Sequence, residues 1–207
     1  MLKVHKLPVE PLGSNCYLAW DTDNTEAVVI DPGGEADRII AAIEKRKLVL
    51  RYILNTHGHG DHIAANRELK ARYGVPLLIH EDDAAMLGDP KLNMSAVYGL
   101  PVTSPRQDGF LVPGEKVTFG SLSLEIIATP GHSPGGVSFY GEGVVFSGDA
   151  LFFGSIGRSD LPCGDTELLI RSIRENLLTL PEDTQVFPGH GQNTTIGMEK
   201  NCNPFLV

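Results

Sequence analysis

His57-Gly58-His59-Gly60-Asp61-His62 is the stretch on which the reading of this chain turns. Four potential metal ligands within six positions cannot all face one ion. The glycines at 58 and 60 remove side-chain bulk and permit tight turns, so alternate residues can be aimed at two neighbouring positions. A solvated polar loop explains these residue types but not their spacing, and the pattern favours two metals. Imidazole and carboxylate together suit zinc, with iron or manganese as alternatives, and no cysteine falls in the run.

Just upstream, residues 50–54 form a short apolar strand, and residues 35–47 place Ile39, Ile40 and Ile43 on one helical face. Just downstream, residues 62–73 read as a helix stopped by Gly74, residues 76–79 as a strand and residues 81–87 as a short helix, with His80 as a capping or packing residue. Toward the N-terminus, residues 3–7, 15–20 and 27–30 read as strands of a meander. Residues 88–109 contain three prolines and weak periodicity, which predicts a long ordered loop of the kind that is often functional. Its Met94, Tyr98 and Leu100 either line a pocket or fasten the loop to the core. Farther on, residues 116–119, 122–128, 137–140 and 144–146 read as strands. Residues 166–178 form a helix capped by Asp165, and residues 185–187 a last strand.

The remaining ligand candidates, His132, Asp149 and His190, also sit where apolar strands stop. Each alone is equally a turn or cap residue, and gains weight only beside the histidine-rich run. The segments 27–31 and 143–149 are both apolar strands ending near an aspartate, and each is followed by a helix and another apolar strand. Two such halves predict two packed sheets with helices outside and one site at the shared edge.

Composition bounds the function. The 207 residues are 42% hydrophobic, enough for one domain over 1–207 with a substantial core. Acidic side chains outnumber basic ones 26 to 17, with no clustered Lys/Arg stripe, which argues against nucleic acid. No apolar run is long enough for a membrane helix or a signal peptide, so no membrane association and a cytoplasmic protein are expected. Cys16, Cys163 and Cys202 are odd in number and widely spaced, which argues against a disulfide framework.

The run His-x-His-x-Asp-His followed by separate His, Asp and His resembles the metallo-β-lactamase superfamily, and the likeness extends from Val29-Ile30-Asp31-Pro32-Gly33-Gly34 to Asn203-Pro204-Phe205-Leu206. The resemblance implies an α+β fold, a four-layer αββα sandwich. It implies that His57, His59 and His132 bind one metal, Asp61, His62 and His190 a second, and Asp149 bridges. Residues 154–160 are similar to those of short glyoxalase II-like enzymes and of persulfide dioxygenases. The first likeness implies a hydrolase of small thioesters such as S-lactoylglutathione, acting through a metal-bridging hydroxide that Asp61 orients. The second implies one iron held by His57, His132 and Asp149; the retained second-site groups favour the hydrolase. A lactonase shares the same needs. A zinc β-lactamase, which often has cysteine in place of Asp149, and a non-catalytic metal-binding module fit less well. Asp31 and Asp160 are candidate acceptors for histidine N–H groups, strand-end capping being the alternative. Arg158 either binds a substrate carboxylate or pairs with Asp160. Full-length glyoxalase II enzymes carry a C-terminal helical region with glutathione contacts, whereas 17 residues follow His190 here, so glutathione as carrier is not implied.

Overall fold

The computed structural model describes residues 1–207. Strands β1 (Leu2–Val9), β2 (Ser14–Asp21) and β3 (Glu26–Ile30) form the antiparallel meander expected, and β3 then pairs in parallel with β4 (Val49–Leu54) after helix α1 (Ala36–Lys45). With β5 (Leu77–Ile79) and β6 (Gly109–Phe110) they make a six-stranded sheet in sequential order.

The second half repeats this plan. Strands β7 (Lys116–Phe119), β8 (Leu122–Ala128), β9 (Val137–Gly141) and β10 (Val144–Gly148) are antiparallel neighbours. A small hairpin, β11 (Leu151–Phe152) with β12 (Ser155–Ile156), and helix α4 (Thr166–Ser172) lead to β13 (Gln185–Pro188), parallel to β10 and edged by β14 (Thr194–Thr195).

Three apolar layers separate four layers of secondary structure, and strand alternation builds them. Along β3, Val28 and Ile30 face the layer between the sheets, beside Tyr17, Leu124, Phe139 and Phe146. Ala27 and Val29 face the opposite way, onto Ile39 and Ile43 of α1 and Leu69 of α3 (Asn66–Tyr73). On the far side Val145 and Val186 pack against Leu169, Ile173 and Ile196 from α4, its continuation and α5 (Ile196–Cys202). Burial on both faces explains why β3 and β10 read as unbroken apolar runs rather than alternating ones. The result is the αββα sandwich. No helix is long and apolar enough to cross a membrane.

Two helices differ from expectation. The helix expected over 62–73 is two pieces, α2 (Gly60–Ile63) and α3, because the Ala65 N–H donates to the Pro32 carbonyl (2.9 Å) instead of continuing the helical ladder. The break turns the chain shortly after His62, the end of the histidine-rich run. Helix α5 was not legible in the sequence: it is short, contains Gly197, and starts on the Thr195 hydroxyl accepting from the Met198 N–H at 3.2 Å. The α4 cap is as expected, Asp165 accepting from the Leu168 N–H at 2.9 Å. His80 caps the 3₁₀ turn Glu81–Leu87. All three cysteines are free.

Candidate metal centre

The carboxyl ends of β4, β10 and β13 come to one edge of the sandwich, and the loops leaving them carry the histidine-rich run, Asp149 and His190. His132 arrives on the β8–β9 connection. The ligand atoms of His57, His59 and His132 lie within 4.8 Å of one another, as do those of Asp61, His62 and His190. Asp149 stands between the sets. Its Oδ1 is 3.4 Å from His62 Nε2, while its Oδ2 is 3.6 Å from His132 Nε2 and 3.7 Å from His190 Nε2.

The far side of three of the rings is fixed by the fold, which leaves the other nitrogen of each aimed inward. His57 Nδ1 meets the Thr56 hydroxyl at 3.0 Å, His62 Nδ1 meets Asp31 Oδ2 at 3.1 Å, and His132 Nδ1 donates to the Arg158 carbonyl at 2.6 Å. Asp31 also accepts from the Thr56 N–H (2.7 Å) and hydroxyl (2.6 Å), and its carboxylate forms a further close group with His57 and His62. Glycines let the loops close. A Cβ at Gly189 would strike Asp149 Oδ1, and one at Gly148, where φ is +49°, would strike Thr56. The His190 loop is tied across to the first sheet, with Tyr17 Oη donating to the Pro188 carbonyl at 2.7 Å and Asn15 Nδ2 to the same oxygen at 2.8 Å.

Asp160 corrects an expectation. Exposed at the surface, it pairs bidentately with Arg158 (both bonds 3.0 Å) and touches no histidine. A single residue, Ser159, separates the pair, so the guanidinium reaches Asp160 directly, and the Arg158 backbone supplies the histidine's acceptor instead. Arg158 nevertheless borders the metal-centre cavity, with Leu12, Met94, Tyr98, Phe152 and Leu161.

Asp83 carries a role that was not foreseen. Its buried carboxylate accepts from the Gly58 N–H (2.9 Å), the Ser133 hydroxyl (2.7 Å) and the Gly135 N–H (2.7 Å), stapling the His57–His59 loop to the His132 loop. Burial raises its pKa against those three bonds. Asp83→Ala strands three buried donors at about 1–3 kcal/mol each. We expect urea denaturation to show a loss of about 3 kcal/mol or more, and a loss under about 1 kcal/mol would contradict the staple.

The donor set fits cations. His57 Nε2, His62 Nε2 and Asp149 Oδ1 are buried without any hydrogen-bond partner, a costly state that an ion relieves. Without metal, burial holds the His57 imidazole well below its ordinary range, with repulsion from His62 and His59 adding to it. Burial and His132 press His59 down to about 3. For His62 burial also opposes charge, but Asp61, Asp149 and the bond to Asp31 outweigh it and lift the ring to about 10. The carboxylates thus call for a positive charge beside them, and His62 supplies it when no ion does.

A pH dependence of the metal-free protein follows. Below the unfolded value of about 6.5 the unfolded chain protonates at His57 and His59 while the folded chain resists, so stability falls as pH drops. The His62 contribution is fully present below about 6.5 and is lost as pH rises through about 10. The urea midpoint of chelated protein is expected to peak near pH ~6.5 and fall on either side. A flat profile would contradict these environments.

Residues 9–190 match the family described as "Metallo-beta-lactamase superfamily". The chain is 41% identical to hydroxyacylglutathione hydrolase GloC of Haemophilus influenzae, over 99% of this chain and 98% of that one. Among solved structures it is similar to BLEG-1 B3 metallo-beta-lactamase, with a TM-score of 0.95 and 42% identity over 99% of this chain and 100% of that chain. It is also similar to TTHA1623 in a di-iron-bound form, with a TM-score of 0.87 and 37% identity over 98% of this chain and 100% of that chain.

Proposed function

The chain belongs to the metallo-beta-lactamase superfamily as a metal-dependent hydrolase, and from that premise we propose that it is a binuclear thioesterase acting on small thioesters such as S-lactoylglutathione. The observation that carries this reading is the convergence of two complete donor sets on one carboxylate, Asp149. His57, His59 and His132 would hold one ion, and Asp61, His62 and His190 the other. Imidazole and carboxylate donors suit zinc, iron or manganese; we take zinc as the first candidate and iron as the next in view of TTHA1623.

Two bound divalent ions supply Lewis acidity toward the carbonyl and a nucleophile from water near neutral pH. The protein supplies orientation. Asp61 Oδ2 lies 3.1 Å from His190 Nε2 and 3.5 Å from His62 Nε2, at the junction of the centre with its cavity, where the carboxylate can accept a proton from the attacking water and aim it. Asp31, Thr56 and the Arg158 carbonyl keep the imidazoles from rotating as charge develops. No side chain need act as acid toward the leaving group, because a thiol of pKa about 8.5 departs as thiolate unaided. Work in the cytoplasm agrees with three unpaired cysteines.

The likeness to BLEG-1 favours one second reading, hydrolysis of a β-lactam amide by the same donors. Initial rates on S-lactoylglutathione, a β-lactam and a lactone, with oxygen uptake on glutathione persulfide, separate the readings. We expect the thioester to give the highest kcat/KM. Oxygen uptake without thioester hydrolysis would replace the proposal with the mononuclear iron dioxygenase, and preference for the β-lactam or the lactone would replace it with that activity.

A further inference from the structure

Beside the metal centre lies a second cavity of about 600 Å³, within the range of small-molecule sites. Leu12, Tyr98, Leu100, Pro101 and Val102 wall it, and Leu12, Asp61 and Tyr98 border both this cavity and the metal centre, so the two adjoin. The polar groups of Asn93 and Ser95 in its lining are already bonded within the protein. Asn93 donates to the carbonyls of Met86 (2.9 Å) and Val102 (3.0 Å) and accepts from the Ser95 N–H (3.1 Å) and hydroxyl (2.6 Å), while the Ser95 hydroxyl accepts from the Val102 N–H at 2.9 Å. The Gly60 N–H donates to the Asn93 carbonyl at 2.8 Å, which fastens this wall to the helix that presents Asp61. Glu10 and Asp61 are the only charged residues in the lining, and both are acidic. Leu12, Tyr98 and Leu100 remain 42%, 48% and 50% exposed, apolar surface that a ligand would cover.

We propose that this cavity is an acyl subsite selecting the uncharged hydrocarbon part of the substrate, which rests on the thioester reading above. A carboxylate-bearing acyl group would enter a lining that holds no basic side chain, beside the Glu10 carboxylate and with Asn93 and Ser95 already bonded within the protein, so its desolvation is poorly compensated. An alkyl chain meets no such cost.

The test uses metal-loaded protein and thioesters of N-acetylcysteamine, a neutral carrier, with acetyl to octanoyl chains. The value of kcat/KM is expected to rise about fourfold per methylene until the cavity fills, and the glutaryl thioester to fall below the pentanoyl one. Leu100→Glu flattens the series. Leu92→Glu, on the same loop, 48% exposed and outside the cavity, leaves the series and the acetyl rate unchanged. Binding of the uncharged fluorophore N-phenyl-1-naphthylamine gives a readout independent of turnover: one site per chain is expected, weakened about tenfold or more by Leu100→Glu. A flat series in an enzyme that hydrolyses the acetyl thioester, or fluorophore binding indifferent to Leu100→Glu, overturns the proposal. Hydrolysis of none of the thioesters, with fluorophore binding still lost in Leu100→Glu, refutes the thioesterase reading and leaves the apolar ligand class of the cavity standing.

Discussion

Replacing Asp61 with alanine is expected to lower kcat by about a thousandfold or more while leaving the fold intact. The carboxylate lies where the two halves of the molecule meet, within 3.1 Å of His190 Nε2 and facing the cavity where substrate would enter. Its burial works against ionisation, yet His62 and His190 hold its pKa below the usual carboxylate range, so it stays an acceptor at neutral pH. Alanine removes both the acceptor that aims water and one donor to the second ion, and Asp149, the other carboxylate beside His62 and His190, is already shared between the two donor sets. The side chain has no bond to the core. Its backbone carbonyl, which accepts from the Ser14 hydroxyl, survives the substitution. Circular dichroism beside kcat on S-lactoylglutathione checks both halves of the expectation. Turnover within about tenfold of the parent would remove Asp61 from the chemistry.

The second large effect is expected at Asp149. One of its oxygens faces His62 and the other faces His132 and His190, so a single carboxylate serves both donor sets. Asp149→Asn keeps the shape and discards the charge. Two ions would then lie close together with one fewer anion between them, and repulsion in this buried site is little screened. Calorimetric titration with zinc should show the second equivalent weakened by about 100-fold or more, with hydrolysis falling in parallel. Gly189 cannot yield space for a rearranged side chain without moving the His190 loop, which is held by Asn15 and Tyr17. Two equivalents bound as tightly as in the parent would show that Asp149 does not bridge.

The parts of this site that the sequence displayed are those governed by local rules. The spacing of His57 to His62 speaks for itself, because few structural demands place four such side chains in six positions. The strands were legible wherever both faces are buried, as in β3 and β10, and the α4 cap was legible because capping is a matter of neighbours. His132, Asp149 and His190 became ligand candidates only through their company, since any of them alone fits a turn.

What stayed hidden depends on tertiary contact. Asp83 sits in Glu81-Asp82-Asp83, and the fold buries only the third of these acids. The break between α2 and α3 comes from a carbonyl on Pro32, more than thirty positions upstream. Asp160 was open between a histidine acceptor and a partner of Arg158, because the spacing that places it near the site also places it within reach of Arg158, and the structure shows the pair. Of the loop residues, Met94, Tyr98 and Leu100 were marked as pocket candidates, and they do line cavities. That their neighbours Asn93 and Ser95 consume one another's polar groups, leaving the wall apolar, is a matter of side-chain geometry that no pattern announces.

Whether two bound metals per chain drive thioester hydrolysis is decided by quantifying metal in the purified, chelated and zinc-reloaded protein and measuring S-lactoylglutathione hydrolysis on each. A binuclear hydrolase should carry about two ions per chain when active, lose turnover on chelation, and recover it only as the second equivalent is restored. Turnover that survives chelation, or one iron per chain with no hydrolysis, would contradict that reading.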